Sequence, residues 1–149
     1  MIKDLANNNG LIMLNFGSGF ISEQSNKSLR DINSKVEKYK IENNLEDSDK
    51  KLLKYKDDLI NSVKPFASIN DFIDTIDHVK ELVGIDHIGL GSDFEGLGNT
   101  LPYDLKDAST YPNILYNLLE REYSEIEIKK ICSDNLFRVW NANLQNRQI

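Results

Sequence analysis

The sequence predicts an α/β fold in which two parallel strands are joined by a helical crossover. Two observations carry this. Leu11-Ile12-Met13-Leu14-Asn15-Phe16 and His87-Ile88-Gly89-Leu90-Gly91-Ser92 are short, largely apolar segments next to glycines, as strands buried in a parallel sheet are. Between and after them, apolar side chains recur at steps of three and four, the helical period. The order is strand, helices, strand, helices, so the strands run parallel with a crossover between them. Two strands make a poor sheet. The expectation is therefore that further strands pack on these, and that the chain is a piece of a larger protein.

Element by element, Met1 to Asn9 reads as the last turns of a helix, with Gly10 at the position after its end. It lacks the features of a signal peptide. The first strand follows and is broken by Gly17-Ser18-Gly19. From about residue 25 to about residue 64 the chain is highly charged. Leu29, Ile32, Val36 and Tyr39 form one helical stripe, and Leu52, Tyr55, Leu59 and Val63 another, with a polar break at Asn43-Asn44. The charge between the stripes reads as a solvated face. Ser68 with Asp71 forms a capping box, which starts a helix carrying Ile69, Phe72, Ile73, Ile76, Val79, Leu82 and Val83 and stopped by Gly84. After the second strand and a loop, Pro112 opens a helix whose face is read as Leu115, Leu118 and Leu119. Ser124 with Glu127 starts a helix with Ile128 and Ile131, and a last helix from about Asp134 to Asn143 carries Leu136, Phe137, Val139 and Trp140. No repeat and no linker divides the chain into two domains.

Composition narrows the classes of function. The 149 residues carry 24 acidic and 18 basic groups, a net charge of −6, and are 40% hydrophobic. That apolar share argues against intrinsic disorder. The acidic excess argues against a nucleic-acid partner, which needs a basic face. No apolar run approaches the ~18 residues that span a bilayer. The single cysteine, Cys132, excludes an internal disulfide framework and a Cys-rich zinc site.

The most informative stretch is Gly84 to Gly96, which places Asp93 directly after the second strand among glycines. In parallel α/β folds, catalytic groups project from the C-terminal ends of strands. Asp93 is a functional candidate on that ground; the alternative is a turn-forming Asp that caps its own loop. Glu95, two residues on, shares its side or points to solvent. Gly89-Leu90-Gly91 is not a dinucleotide fingerprint, because the third glycine falls at Phe94. His78 reads as a surface histidine and His87 as a structural one at the head of the strand. No H-x-H, H-E-x-x-H or H-x-D pattern and no G-x-S-x-G elbow is present. Cys132 reads as a small side chain buried beside Ile131. Asn26-Lys27-Ser28 fits a glycosylation sequon, a short pattern.

Four stretches together resemble the zinc dipeptidases of the renal (membrane) dipeptidase family. Asn9–Phe16 resembles that family's seventh barrel strand. Val83–Gly96 resembles the eighth, whose usual form ends G-S-D-F-D-G. Leu105–Asn113 resembles its L-x-D-x-S-x-Y-P segment, and Asp134–Val139 its closing E-N-x-x-R-V helix. Taken together the resemblance covers roughly the whole chain except the charged stretch from Ser25 to Lys64. The resemblance implies the C-terminal portion of a metal-dependent (β/α)8 barrel, strands seven and eight with their helices. Residues 1–149 would then be one partial domain with a helical insert at about 25–64. It implies a metallodipeptidase in which two zinc ions activate water and polarise the scissile carbonyl. It assigns Asp93 as the group that takes a proton from the attacking water, passes it to the leaving amine, and touches the substrate's free amino group. Asn15, Phe16 and Gly17 would line the substrate pocket.

This chain departs from the family pattern at several points. No family metal ligand has a counterpart, so no residue is assigned to metal. Glu95 stands where an Asp is usual, and Gly17 where many relatives carry an aromatic residue. Asn135 is read as a cap or brace, and Arg138 as pairing with a carboxylate at the barrel base. The implied partners are a dipeptide and the missing N-terminal half of the barrel, with self-association of exposed apolar faces as a further expectation. Ile12, Leu14, Ile88 and Leu90 are the residues expected to lose cover. The alternatives are another metal-dependent (β/α)8 hydrolase of TatD-like type, which also places an Asp after its last strand, and a non-catalytic interaction module built on the charged helices.

Overall fold

A computed structural model describes residues 1–145 of the chain. The first helix, α1 (Ile2–Asn7), leads into strand β1 (Ile12–Asn15). A single turn, α2 (Ser18–Ile21), precedes the charged helices α3 (Glu23–Glu42) and α4 (Lys50–Val63). Helix α5 (Ile69–Val83) returns the chain to strand β2 (Ile88–Ser92). After the loop come α6 (Tyr111–Glu120), α7 (Glu125–Lys129), a π-helical turn (Lys130–Asp134) and α8 (Asn135–Gln145). β1 and β2 pair in parallel, Ile12 opposite Ile88 and Leu14 opposite Leu90. The α/β crossover read from the sequence is therefore present.

Local chemistry explains the helix ends. Both capping boxes form: Ser68 and Asp71 exchange hydrogen bonds at the start of α5, as do Ser124 and Glu127 at the start of α7. At the end of α1, the residue in the left-handed region is Asn9 (φ 53°), one position before the expected Gly10. Asn9 N–H donates to Ala6 O and Gly10 N–H to Leu5 O, which closes the helix in a Schellman pattern with Gly10 one place further out. Asparagine tolerates that backbone because its short polar side chain lowers the steric cost.

The core is built on one face of the strand pair. Leu14, Phe16 and Ile88 join Phe72, Ile73, Ile76 and Val79 of α5, with Ile114 and Leu118 of α6 and Ile131 of the π turn. The expectation that Leu14 and Ile88 lose their cover is corrected here. They are 6% and 0% exposed, because α5 packs on that face; Ile12 and Leu90 are half-buried. The open face is the opposite one, where Met13 is 42% exposed and where, by strand alternation, Asn15 also lies. On α6 the buried pair is Ile114 and Leu118, while Leu119 is exposed. The π turn also corrects the reading of Cys132. The added residue keeps Ile131 inward and leaves Cys132 exposed. Leu136, Phe137, Trp140 and Leu144 of α8 are exposed and line an apolar stripe.

The N-terminal ends of the two strands are tied together by polar groups. Asn135, buried at the start of α8, donates from its amide to Ile85 O and Ile88 O, both at 2.8 Å. Arg138 donates to the carbonyls of Asn9 and Asp86, not to a carboxylate as the sequence suggested. His87 Nδ1 donates to Gly10 O at 2.8 Å, a structural role as expected.

Helices α3 and α4 form a hairpin with their own small core. Ile32 and Leu52 are buried there but are not part of the main cluster. Tyr39 and Tyr55 stack with ring centres 4.1 Å apart.

A third tie holds α5 to α6 and α7. Arg121 bridges Asp74 and Asp77, and Tyr123 Oη donates to Asp77. Burial, followed by the Asp77 carboxylate, pushes the Tyr123 phenol up. Lys80 pairs with Glu127 at 2.7 Å. The Lys80 bond, followed by the Ser124 N–H, holds the Glu127 carboxyl down at about 2.

Two predictions arise from these ties. Asn135→Leu keeps the volume but leaves two carbonyls without a donor, so urea unfolding should show a loss of about 2 kcal/mol or more. Glu127 has a folded-state pKa below its ordinary 4.5. Its contribution is therefore complete above that ordinary value and is lost as pH falls toward about 2. Urea midpoints measured across pH 5 to 2 should fall less steeply in Glu127→Gln than in the parent chain.

Candidate functional site

The C-terminal ends of β1 and β2 carry the polar residues singled out in the sequence. The pairing slips there: Leu14 faces Leu90, but Asn15 faces Ser92, so Gly91 is left out as a bulge. A Cβ at Gly91 would lie 2.8 Å from Met13 O and 3.0 Å from Leu14 O, so only glycine lets the strands approach this closely. Past the bulge, Ser92 (φ 45°) and Asp93 (φ 69°) both take the left-handed backbone. For non-glycine residues this costs roughly 1–2 kcal/mol each.

What holds the strained pair is a set of bonds across the strand ends. Phe16 N–H donates to Ser92 O at 3.0 Å. The Asn15 amide donates to Asp93 Oδ2 at 2.9 Å, and Asn15 Oδ1 accepts from Gly17 N–H at 2.7 Å. The loop closes when Gly96 N–H donates to Asp93 O at 3.2 Å. Asp93 itself is exposed. Among the described residues it makes no ion pair.

Aromatic packing supports the site from behind. Phe16 is 0% exposed and meets Phe72, Phe94 and Tyr111 with ring centres at 4.5, 5.6 and 5.8 Å. The structure thus places Phe16 beneath the strand ends and not on an open wall. Gly17 is also buried, while Asn15 is half-buried and Asp93 open. Tyr111, reached only through the fold, brings the Leu105–Pro112 segment under the site. Its start is shaped by Asp107, which accepts from Ser109 N–H at 2.8 Å.

A metal does not fit these residues. Among the described residues, no group of three or more His, Cys, Asp and Glu side chains could hold an ion. His78 is exposed on α5. His87 stands at the other end of β2, with the five strand residues between it and Asp93. Asp93 is therefore a lone carboxylate beside an amide donor. It can accept protons and bind a cationic group.

The model of one protein family matches this chain from residue 1 to 148: membrane dipeptidase, peptidase family M19. The chain belongs to the membrane dipeptidase family. The match takes in the charged hairpin as well as the four stretches that carried the resemblance, and it displaces the TatD-like alternative. Among solved structures, this chain is similar to the crystal structure of the probable dipeptidase PvdM from Pseudomonas aeruginosa, with a TM-score of 0.64 and 19% identity. That similarity covers 93% of this chain and 38% of PvdM. At this identity the likeness is one of fold. The chain spans well under half the length of that structure.

Asn135 and the bulge could be foreseen only in part. Gly91 is a visible signal for a bulge, but nothing local says that Asn135 reaches Ile85 and Ile88. Gly91→Ala tests the close approach. It should lower stability by about 1–3 kcal/mol in urea unfolding, the usual cost of forcing a methyl into a filled space.

Proposed function

We propose that this chain supplies the seventh and eighth strands, with their helices, of a (β/α)8 metallodipeptidase, and that Asp93 is its catalytic group. The observation that carries the reading is the placement of Asp93. It follows the last residue of β2 at the C-terminal end of a parallel pair, in a chain that matches the membrane dipeptidase family over residues 1–148. Catalytic groups of (β/α)8 enzymes sit at that end of the strands. The open Met13 face and the apolar stripe on α8 fit a barrel whose remaining strands and helices lie outside these residues. So does the 38% share of PvdM that the chain covers.

In this reading the zinc ions and their ligands are supplied from outside the described residues, and the 149-residue chain is inactive by itself. Asp93 accepts the proton of the attacking water and delivers it to the leaving amine, a general acid–base role. Its negative charge also suits the free ammonium of a dipeptide. Asn15 and Gly17 border the Asp93 carboxylate, and Phe16 holds them in place from the core.

The test compares three samples for zinc content and for hydrolysis of Gly- or Ala-containing dipeptides. They are the 149-residue chain, a restored protein carrying a family N-terminal part ahead of Met1, and that protein with Asp93→Asn. Expected are no hydrolysis by the chain alone, activity in the restored protein, and at least a ~100-fold loss in Asp93→Asn with zinc retained. Robust hydrolysis by the chain alone would overturn its incompleteness. Full activity of Asp93→Asn would overturn the role of Asp93.

A further inference from the structure

We propose that Asn15 is a positioning residue, which fixes the Asp93 carboxylate in one orientation through an amide whose own orientation is set by Gly17. This rests on the reading of Asp93 given above and adds to it the device that makes an exposed carboxylate directional.

The polarity of the arrangement is unambiguous. The Gly17 backbone N–H can only donate, so the atom of Asn15 that meets it at 2.7 Å is the carbonyl oxygen. The other end of the carboxamide is then NH2, and it faces Asp93 Oδ2 at 2.9 Å, where an ionised carboxylate can only accept. Gly17, Asn15 and Asp93 thus form one directed chain of hydrogen bonds, the last of them charge-assisted. Asparagine is the residue that presents an acceptor and a donor from one short planar group. Aspartate would keep the Gly17 bond but set a like charge against Asp93, and alanine would lose both bonds.

The far side of the carboxylate is bounded too. A Cβ at Gly96 would lie 2.2 Å from Asp93 Oδ1 and 3.2 Å from Oδ2, so the space a side chain would fill at Gly96 is taken by the carboxylate. An exposed aspartate ordinarily samples several rotamers; this one is held between Asn15 and the Gly96 backbone. The bulge is part of the device. It sets Asn15 opposite Ser92, next to Asp93, where regular pairing would have set it opposite Gly91. With one amide end committed to the backbone and the other to Asp93, Asn15 acts on the reaction through Asp93.

The decisive measurement is NMR on the 149-residue chain, with three-bond couplings to Asp93 Cγ reporting its χ1 angle. The parent should show a single rotamer. Asn15→Asp should keep the Gly17 amide signal close to its parent position yet leave Asp93 averaged over rotamers. Asn15→Ala should move the Gly17 signal and average Asp93 as well. A parent-like single rotamer in both variants overturns the proposal. Asp93→Gly, which suits the positive φ and leaves the core untouched, should shift the Asn15 side-chain N–H signals; unmoved signals overturn the proposal even if the position-15 variants fail to fold.

In the restored protein, Asn15→Ala should lower kcat by ~10–100-fold with little change in KM, as misplacement of a reacting group does. A raised KM with unchanged kcat would make Asn15 a substrate contact and overturn the positioning role. The NMR result does not depend on hydrolysis. Its failure removes the positioning role and leaves the dipeptidase reading standing, whereas a fully active Asp93→Asn protein removes that reading.

Discussion

Two carbonyls at the entrance to β2, those of Ile85 and Ile88, are satisfied by one buried amide, that of Asn135. Much of the architecture depends on that contact. It ties the start of β2 to the start of α8. It also anchors α8, which has few other means of attachment, since most of its large apolar side chains face outward. Ile131 and Asn135 lie four residues apart on one face of the chain through the π-helical turn, so both point inward, Ile131 to the core and Asn135 to the strand. Arg138, one turn further along, closes the same joint from outside by holding the carbonyls of Asn9 and Asp86.

The two ends of the strand pair are built on different terms. At the N-terminal end, side chains satisfy backbone groups and the left-handed backbone falls to Asn9, a residue type that tolerates it. At the C-terminal end, a bulge and two consecutive left-handed residues are tolerated, and backbone strain of this kind persists only where the surroundings over-determine it. The Phe16, Phe72, Phe94 and Tyr111 cluster supplies that support. It anchors Phe16, which directly follows β1 and bonds to Ser92 O, and Phe94, which directly follows Asp93. Rigid packing behind and an open carboxylate in front is the division expected of a site that must hold one geometry while admitting a ligand.

The elements were legible because their causes are local. Apolar spacing gave α3, α4 and α5, the Ser68–Asp71 and Ser124–Glu127 pairs gave two helix starts, and the position of Asp93 followed from its place after a strand. What was not legible depends on partners distant in the chain. Ile114, Leu115, Leu118 and Leu119 offer two overlapping faces at helical spacing, and only the approach of α5 decides that Ile114 and Leu118 are the buried pair. Cys132 follows a regular stripe that the π turn breaks. Phe16, at the mouth of a strand, reads equally well as pocket wall or as core; the aromatic residues that make it core come from α5, the β2 loop and α6. Asn135 and Arg138 looked structural, but their acceptors are backbone atoms that no motif names.

The α3–α4 hairpin bears on how the chain assembles. Asn15 and Asp93 are 78 positions apart, so the strands can pair only after a long loop has closed. Closing such a loop costs entropy, and pairing of distant parallel strands is slow for that reason. The hairpin, with its own buried Ile32 and Leu52 and its stacked tyrosines, needs no contact with the strands to form. Once it collapses, its forty or so residues act as a short rigid spacer instead of slack chain, and the distance left for the strands to search shrinks accordingly. The hairpin in this sense shortens the loop that separates Asn15 from Asp93.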